Sequence, residues 1–286
     1  MIHRSEIQIR DPFILTEGDC YYLFGTTDAD PWKEGRSFLC WRSRDLEHYE
    51  GPYTAFAPGA DFEGTINFWA PEVHKVGMRF YMFASFLRPG KQRGTMILAS
   101  DSPIGPYVPV SGETYTPGDW SCLDGTFFEE DGKLYSFFIH EWTQISDGTV
   151  ELAQLKADFS GMVSAPVTLF RGSDAPWARA MWNGGYVTDG PFIWKLESGR
   201  LAMLWSGFGA EGYTLGVAYS DGGVHGPWVQ DPEPLFRRDG GHGMIFRTLE
   251  GRLMLTLHSP NETPLERPYF FPLEERVGKL RLDTKA

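Results

Sequence analysis

The stretch FILTEGDCYYLFGT at residues 13–26 contains an apolar segment, a polar turn with a glycine, and a second segment rich in aromatic residues. This order is typical of a β-hairpin. It returns four more times along the chain, each time with a glycine in the turn. The later copies are VHKVGMRFYMFAS at residues 73–85, FFEEDGKLYSFFIH at 127–140, FIWKLESGRLAMLWS at 192–206 and MIFRTLEGRLMLTLHS at 244–259. Such an internal repeat indicates a fold that is built from equivalent units.

The segments between the hairpins repeat as well. SFLCWRSRDLEHYEGPY at residues 37–53, TMILASDSPIGPYVPV at 95–110 and TLGVAYSDGGVHGPWVQ at 214–230 all contain a strand, a Ser/Asp turn, Gly-Pro-aromatic and another strand. Each unit therefore holds four short strands in roughly 50 to 65 residues, which is the size of a propeller blade. We predict an all-β, five-bladed β-propeller in which residues 1–286 form a single domain. Residues 277–282 predict an outer strand, and residues 6–9 predict a strand that completes a neighbouring blade.

The charge of the chain restricts its partners. There are 26 Lys and Arg residues against 38 Asp and Glu residues, a net charge of −12, without a basic cluster. Nucleic acids and anionic membrane surfaces require a positive protein surface, so neither is predicted as a partner. The N-terminal sequence lacks the apolar core of a signal peptide, and we expect a cytoplasmic protein. The oligomeric state is not predicted.

Two of the three cysteines, Cys20 and Cys40, are expected to be buried side chains without a disulfide. Cys20, Cys40 and Cys122 form no CxxC pair, and the first two lie within apolar runs. A cysteine in such a run behaves as a small buried hydrophobic residue.

Acidic residues precede most of the hairpins. Inner strands line the axis of a propeller, so residues at their starts converge. Asp11, Asp124 and Asp189 precede the first, third and fourth hairpins, while Glu72 and His242 precede the second and fifth. One such aspartate is often only a turn-former, but recurrence in successive blades favours a functional cluster. Clustered carboxyls have separated pKa values, which supplies a general acid and a general base. Carboxylates also suit calcium or magnesium, although His242 alone does not specify a metal.

Five motifs in order resemble glycoside hydrolase family 43, whose members are five-bladed propellers. They are RDPFI at residues 10–14, FWAPEV at 68–73, LDGTFF at 123–128, DGPFIW at 189–194 and GGHGMIF at 240–246. The family includes α-L-arabinofuranosidases, β-xylosidases and endo-arabinanases, and it inverts the configuration of the sugar. The resemblance implies that Asp11 is the general base, that Asp124 positions the acid and raises its pKa, and that Asp189 is the general acid.

Residue 189 departs from the family pattern. The acid of the family is usually a glutamate in an EGP motif, whereas this chain has aspartate in TDGP at residues 188–191. Aspartate is shorter by one methylene, about 1.5 Å, and a misplacement of about 1 Å can lower a rate by about two orders of magnitude. We favour Asp189 as an acid with compensating placement. There are two alternatives. A loop glutamate, such as Glu211 or Glu141, supplies the proton, or the enzyme is weaker or has an altered specificity.

Other residues near the predicted mouth are candidates for sugar binding. They are Phe13, Trp69, His140, Trp182, Phe208 and Arg267. His242 matches the axial histidine of the family, which in some members lies beside a bound calcium ion or water. A channel histidine that is only hydrogen-bonded is equally compatible with the sequence. No cofactor is expected to be required, and the resemblance allows a structural calcium ion in the central channel.

The expected activity is hydrolytic removal of terminal α-L-arabinofuranose or β-D-xylose from plant-derived oligosaccharides. The sequence does not separate the two pentoses. A glycosidase that acts on another furanoside is one alternative. A second is a carbohydrate-binding propeller, which would bind the sugar and leave it intact.

Overall fold

The computed structural model describes residues 1–33, 35–64 and 66–283, and its strands form five antiparallel sheets arranged as a five-bladed propeller. The predicted fold is therefore confirmed. In the described ranges the first blade has five strands and each of the others has four. Each inner strand packs against the inner strands of its neighbours around the axis.

The blades follow one another in sequence order. The first contains β1 (Ile2–His3), β2 (Arg10–Glu17), β3 (Cys20–Thr26), β4 (Phe38–Ser43) and β5 (His48–Phe56). The second contains β6 (Ile66–Val76), β7 (Arg79–Leu87), β8 (Gly94–Ser100) and β9 (Val108–Pro109). The third contains β10 (Cys122–Glu130), β11 (Lys133–His140), β12 (Thr149–Gln154) and β13 (Val167–Arg171). The fourth contains β14 (Asp189–Lys195), β15 (Leu201–Gly209), β16 (Gly212–Ser220) and β17 (Trp228–Gln230). The fifth contains β18 (Gly241–Arg247), β19 (Leu253–Ser259), β20 (Arg267–Arg276) and β21 (Lys279–Leu282).

Helices are short. The described residues contain α1 (Trp142–Ile145) and three 3₁₀ turns, Arg4–Glu6, Gly172–Asp174 and Gly223–His225. None of the helices in the described ranges is long and apolar enough to cross a membrane. Cys20, Cys40 and Cys122 are buried free thiols, which was expected for the first two.

The two ends of the chain meet without sharing a blade. Strand β21 forms the outer edge of the fifth blade, within the predicted range 277–282. The predicted strand at residues 6–9 is wrong, because a 3₁₀ turn ends at Glu6 and residues 7–9 form no strand, with Ile7 and Ile9 buried in the hydrophobic core. Strand β1 instead pairs with β5 in the first blade. The Ile9 N–H donates to the Glu266 carbonyl at 3.3 Å, and the Arg267 guanidinium donates to the Ser5 carbonyl at 2.8 Å.

Every inner strand carries a β-bulge near its start. One residue of each bulge has a positive φ, a conformation that side chains other than glycine rarely adopt. These residues are Asp11 (φ 52°), Ala70 (46°), Asp124 (55°), Gly190 (52°) and His242 (49°). The bulges therefore form a ring of five equivalent positions around the axis.

A side chain of the preceding blade accepts the N–H of each bulge residue. The five bonds run from Ala70 to Thr26 (2.9 Å), Asp124 to Ser85 (2.9 Å), Gly190 to Asp124 (2.9 Å), His242 to Ser206 (2.8 Å) and Asp11 to His258 (3.0 Å). These bonds join each blade to the next. Each one also satisfies a buried N–H, which would be destabilising without a partner. The ring closes with the bond between the first and fifth blades.

The third blade departs from this pattern, and the departure affects the site. In the other four blades the accepting side chain lies across the inner hairpin from the residue that precedes the bulge. The third blade has Ile139 there, opposite Leu123. Isoleucine has no acceptor, so the Gly190 N–H donates instead to Oδ2 of Asp124. One carboxyl of the predicted site thereby replaces the missing acceptor.

The hydrogen-bond ring predicts the effect of removing one hydroxyl. The Ser206 side chain is fully buried and accepts the His242 N–H, so Ser206→Ala leaves that N–H unsatisfied. We expect the free energy of unfolding to fall by about 1–3 kcal/mol. Urea unfolding followed by far-UV circular dichroism measures it. Ser164→Ala, at an exposed serine, is the matched control, and equal stability of the two variants would contradict a structural role of the ring.

Candidate active site

The bulge ring opens into a cavity of about 300 Å³ at one end of the axis. Asp11, Asp124 and Asp189 all line it, so the structure brings the three predicted carboxyls together. The wall of the cavity is largely aromatic. The aromatic side chains in it are Trp32, Trp69, Trp142, Phe208 and Tyr213. A concave apolar wall with a few convergent polar groups is the usual form of a small-molecule site.

Asp11 is held from both sides of its carboxylate. Its Oδ2 accepts the Thr26 hydroxyl at 2.7 Å, and its Oδ1 lies 3.1 Å from Nδ1 of His242. Burial acts to raise the pKa of Asp11, but the charges of His242 and Arg10 outweigh burial and leave the pKa below its usual value. Asp11 is therefore ionised at neutral pH and able to accept a proton.

His258 is a neutral histidine. Its Nδ1 accepts the Asp11 N–H, so the ring proton is on Nε2, which donates to Oδ1 of Asn261 at 3.2 Å. Burial, together with the charge of Arg10, lowers the pKa of His258 to about 3. Arg10 also donates to the same Asn261 oxygen at 2.7 Å and to Glu266 at 2.6 Å. This hydrogen-bond network holds the Asp11 backbone in place through His258.

His242 lies between the carboxylates. Its Nδ1 is 3.1 Å from Asp11 and 3.8 Å from Asp124. Burial acts to lower the pKa of His242, but the charges of Asp11, Asp124 and Asp189 raise it above its usual value. The three acidic side chains therefore favour the protonated form of the ring.

His242 is the side chain that the resemblance connects with a calcium ion. Its Nδ1 faces Asp11 and Asp124, and a histidine that is held by carboxylates through one ring nitrogen can ligate a cation through the other, Nε2. Within residues 1–33, 35–64 and 66–283, no group of three or more His, Cys, Asp or Glu side chains has an arrangement that fits a metal ion. The calcium ion that the resemblance allows stays a prediction, and no catalytic step below depends on it.

Asp124 and Asp189 are the two carboxyls of the cluster whose pKa values are raised. Burial raises the pKa of Asp124, and the charges of Asp189 and Asp11 raise it further. Burial also raises the pKa of Asp189, with contributions from Asp11 and Glu141. Because each carboxyl senses the charge of the other, they titrate as a pair that holds a proton near neutral pH. Asp189 is the less buried of the two, which favours it for proton transfer to a ligand.

Asp189 does not occupy the bulge position of its blade. That position belongs to Gly190, and Asp189 is the residue before it, opposite Ser206. A Cβ at position 190 would lie 2.7 Å from the His242 ring, so a side chain is excluded there. The carboxyl of the fourth blade therefore comes from the preceding residue. Its Oδ2 accepts the Tyr213 hydroxyl at 3.0 Å.

The two loop glutamates considered as alternative acids lie in different places. Glu141 lines the cavity, but its carboxylate is held by the Arg93 guanidinium and by the Ser121 hydroxyl at 2.6 Å. Glu211 is exposed on the turn between β15 and β16 and lines a separate cavity. The position of Asp189 therefore suits the acid role better than either glutamate.

The predicted sugar-binding residues divide into two groups. Trp69 and Phe208 line the cavity. Phe13 is buried in the core against His74 and Phe192, and His140 stacks on Trp120 at 4.2 Å outside the cavity lining.

Two further candidates also lie outside the lining. Trp182 is 91% exposed. The guanidinium of Arg267 donates to three backbone carbonyls, those of Ser5, Pro264 and Glu266, and so ties the chain ends together.

The sequence analysis missed several residues that build the site. They are Arg10, Thr26, Trp32, Tyr213, His258 and Asn261 in supporting or lining positions. Thr26, Ser85, Ser206 and His258 shared a signal, because each is a polar residue at the end of the second strand of a hairpin. Tyr213 and Asn261 had no such signal, since only the packing of neighbouring blades brings them to the axis.

Comparisons with known proteins agree with this geometry. A profile described as Glycosyl hydrolases family 43 matches residues 5–275. The crystal structure of an endo-arabinase from Bacteroides thetaiotaomicron VPI-5482 superposes on this chain with a TM-score of 0.91. The two sequences are 39% identical, and the match covers 97% of this chain and 98% of that chain. An α-L-arabinofuranosidase from Lactobacillus brevis shares the fold, with a TM-score of 0.78 at 18% identity over 99% of this chain and 97% of that chain.

Curated relatives match a part of the chain. An extracellular exo-α-(1→5)-L-arabinofuranosidase, ArbA, from Cellvibrio japonicus is 23% identical over 166 residues, which are 54% of this chain and 46% of that protein. A probable arabinan endo-1,5-α-L-arabinosidase A from Aspergillus flavus is 27% identical over 172 residues, 56% of this chain and 49% of that protein. This chain therefore spans less than half of the length of either relative.

The contact between Tyr213 and Asp189 predicts a pKa change. The hydroxyl donates to Oδ2 and so favours the ionised carboxylate, and Tyr213→Phe removes that bond. We expect the pKa of Asp189 to rise further, as measured by ¹³C NMR titration of the carboxyl carbons. Tyr219→Phe is the matched control, since that buried hydroxyl lies on the same strand and accepts the Leu280 N–H. An unchanged or lowered pKa of Asp189 in Tyr213→Phe would contradict the contact.

Proposed function

Because the chain belongs to glycosyl hydrolases family 43, we propose that it is an inverting glycosidase that hydrolyses α-L-arabinofuranosyl linkages in plant-derived oligosaccharides. The observation that carries the proposal is the pairing of opposite protonation states in one cavity. Asp11 has a lowered pKa, while the Asp124–Asp189 pair holds a proton. Two carboxyls with opposite states are what glycoside hydrolysis requires.

Each carboxyl has one step in the proposed mechanism. Asp11 accepts a proton from a water molecule, and the oxygen of that water forms a bond to the anomeric carbon. Asp189 donates its proton to the glycosidic oxygen, whose bond to the anomeric carbon breaks. Asp124 keeps the pKa of the pair high and holds the Gly190 backbone next to the acid. His242 and Arg10 maintain the ionised state of Asp11.

Several features support arabinose as the sugar. The endo-arabinase at 39% identity matches nearly the whole of both chains, and the curated relatives named above carry arabinose-specific names. β-D-xylose stays the alternative pentose, and a glycosidase for other furanosides stays a third candidate. Terminal release is the expectation from the sequence, whereas internal cleavage is favoured by the likeness to the endo-arabinase. A cytoplasmic location stays a prediction.

Substitution of the carboxyls tests the assignment of roles. We expect wild-type protein to hydrolyse 4-nitrophenyl α-L-arabinofuranoside with inversion, as followed by ¹H NMR of the released sugar. Asp11→Asn should lower kcat by about 10²–10⁴-fold for every leaving group, because the base is lost. Asp189→Asn should show a large loss with poor leaving groups and a small loss with 2,4-dinitrophenolate, which departs without a proton.

The controls for this experiment separate the alternatives. Glu211→Gln, at an exposed glutamate outside the cavity, should retain wild-type activity, and its inactivation would move the acid role to that loop. An aryl β-D-xyloside in the panel distinguishes the pentoses. Binding of arabino-oligosaccharides without hydrolysis of any substrate would identify a carbohydrate-binding propeller instead.

We also propose that hydrolysis needs no metal ion. The support is that Asp11 and the Asp124–Asp189 pair already supply the base and the acid of the reaction. Dialysis against EDTA should therefore leave kcat/KM on the aryl arabinofuranoside unchanged. A loss of activity that added calcium restores would show that a channel ion supports the site.

A further inference from the structure

A second cavity opens beside the catalytic one. It has a volume of about 470 Å³ and is lined by Arg10, Ala29, Asp30, Trp32, Asn261 and Thr263. We call it the rim depression. Arg10, Trp32 and Asn261 also line the catalytic cavity, so the two spaces are neighbours that share one wall.

Trp32 forms the apolar part of that shared wall. Its side chain is 65% exposed, which is unusual for an indole of a globular protein. It packs edge-to-face on Trp69, with ring centroids 4.9 Å apart, and Nε1 of Trp69 donates to the Pro31 carbonyl at 2.6 Å. The exposed ring is therefore held in place by its neighbours. It offers a flat apolar surface, with a polar N–H, to a ligand that spans both cavities.

Asn261 forms the polar part of the wall. Its Oδ1 accepts hydrogen bonds from Arg10 and His258, which fixes the orientation of the amide. Nδ2 therefore points away from these donors, and in the described ranges it has no hydrogen-bond partner. Two N–H donors are thus available where the cavities meet. The lining also contains Asp30, whose carboxylate is paired with the exposed Lys33 at 2.8 Å. Such a mixture suits a neutral ligand rich in hydroxyl groups.

The rim depression lies on the side of the base. Arg10 precedes Asp11, and Asn261 is linked to Asp11 through His258. The acid, Asp189, belongs to the fourth blade and is held by Tyr213 of the same blade. In an inverting reaction the leaving group departs on the side of the acid while water attacks from the side of the base. A sugar in the rim depression therefore belongs to the retained part of the substrate, which is the part that contains the anomeric carbon of the cleaved bond and not the leaving group.

We propose that the rim depression binds a second sugar residue of the retained part of an arabino-oligosaccharide, between Trp32 and Asn261. The proposal rests on the proposed function and extends it. An enzyme with this second subsite releases products of two or more sugar residues, in addition to acting on a single terminal arabinose.

Filling the rim depression tests this. Ala29 is exposed and lines the rim depression without lining the catalytic cavity, so Ala29→Trp places bulk in the second subsite alone. The measurement is the ratio of kcat/KM for α-1,5-arabinotriose to kcat/KM for 4-nitrophenyl α-L-arabinofuranoside, with product lengths from chromatography. The arabinotriose carries a label at its reducing end, because cleavage of either linkage gives one arabinose and one disaccharide, and only the label shows which linkage was cleaved. We expect Ala29→Trp to lower this ratio about tenfold, the effect of one or two hydrogen bonds, and to suppress release of the unlabelled disaccharide.

Ala165→Trp is the matched control, since it adds the same bulk at an exposed alanine outside both cavities. It should leave the ratio unchanged. An unchanged ratio in Ala29→Trp, or release of unlabelled arabinose without unlabelled disaccharide by the wild type, would overturn the proposal while the hydrolysis of aryl arabinofuranoside still supports the function.

Binding separates failure of the subsite from failure of the activity. If no arabinofuranoside is hydrolysed, the proposed function fails, and calorimetry with arabinotriose and arabinose still tests the subsite. We expect Ala29→Trp to weaken binding of arabinotriose about tenfold and to leave arabinose binding unchanged. Equal binding of arabinotriose by Ala29→Trp and the wild type would contradict the subsite.

Discussion

The ring of bulges around the axis is the constraint on which the rest of the structure depends. At five positions the backbone turns to positive φ, and the N–H it presents is accepted by a side chain of the preceding blade. A non-glycine residue in this conformation is strained by about 1–3 kcal/mol, so four of the five positions are strained. The cross-blade bonds and the burial of the inner strands offset that strain. Relaxing one bulge would remove a link between two blades.

The same ring sets the chemistry, because the strained positions carry the functional side chains. Asp11, Asp124 and His242 are bulge residues, and their side chains converge where the cavity begins. Burial alone would disfavour every charge in this cluster. The geometry instead distributes the protons unevenly, since the acids favour the protonated form of His242 beside Asp11, while burial and neighbouring charges raise the pKa values of Asp124 and Asp189. A general base and a general acid result from one electrostatic arrangement.

Two departures from the repeat make the site asymmetric. Ile139 lacks the side-chain acceptor that the other blades provide, and the carboxyl of Asp124 accepts the Gly190 N–H instead. The close approach of His242 excludes a side chain at residue 190, so the fourth blade contributes its acid from residue 189. Both departures direct a carboxyl toward its neighbours. Equivalent positions in similar blades thus carry residues with distinct roles in the site.

Hairpin periodicity, turn glycines and motif order determined the propeller, the blade count and the positions of Asp11, Asp124 and Asp189, because these patterns are local. The sequence also placed Trp69 and Phe208 near the mouth, where both line the cavity. It placed Phe13, His140, Trp182 and Arg267 there too, although the structure packs or exposes them elsewhere. Only the tertiary structure decided that Asp189 lies one residue before its bulge, and that Tyr213, His258 and Asn261 support the carboxyls. The physical reason is that these contacts join different strands and blades. Their distances depend on how the blades pack around the axis, which no local pattern encodes.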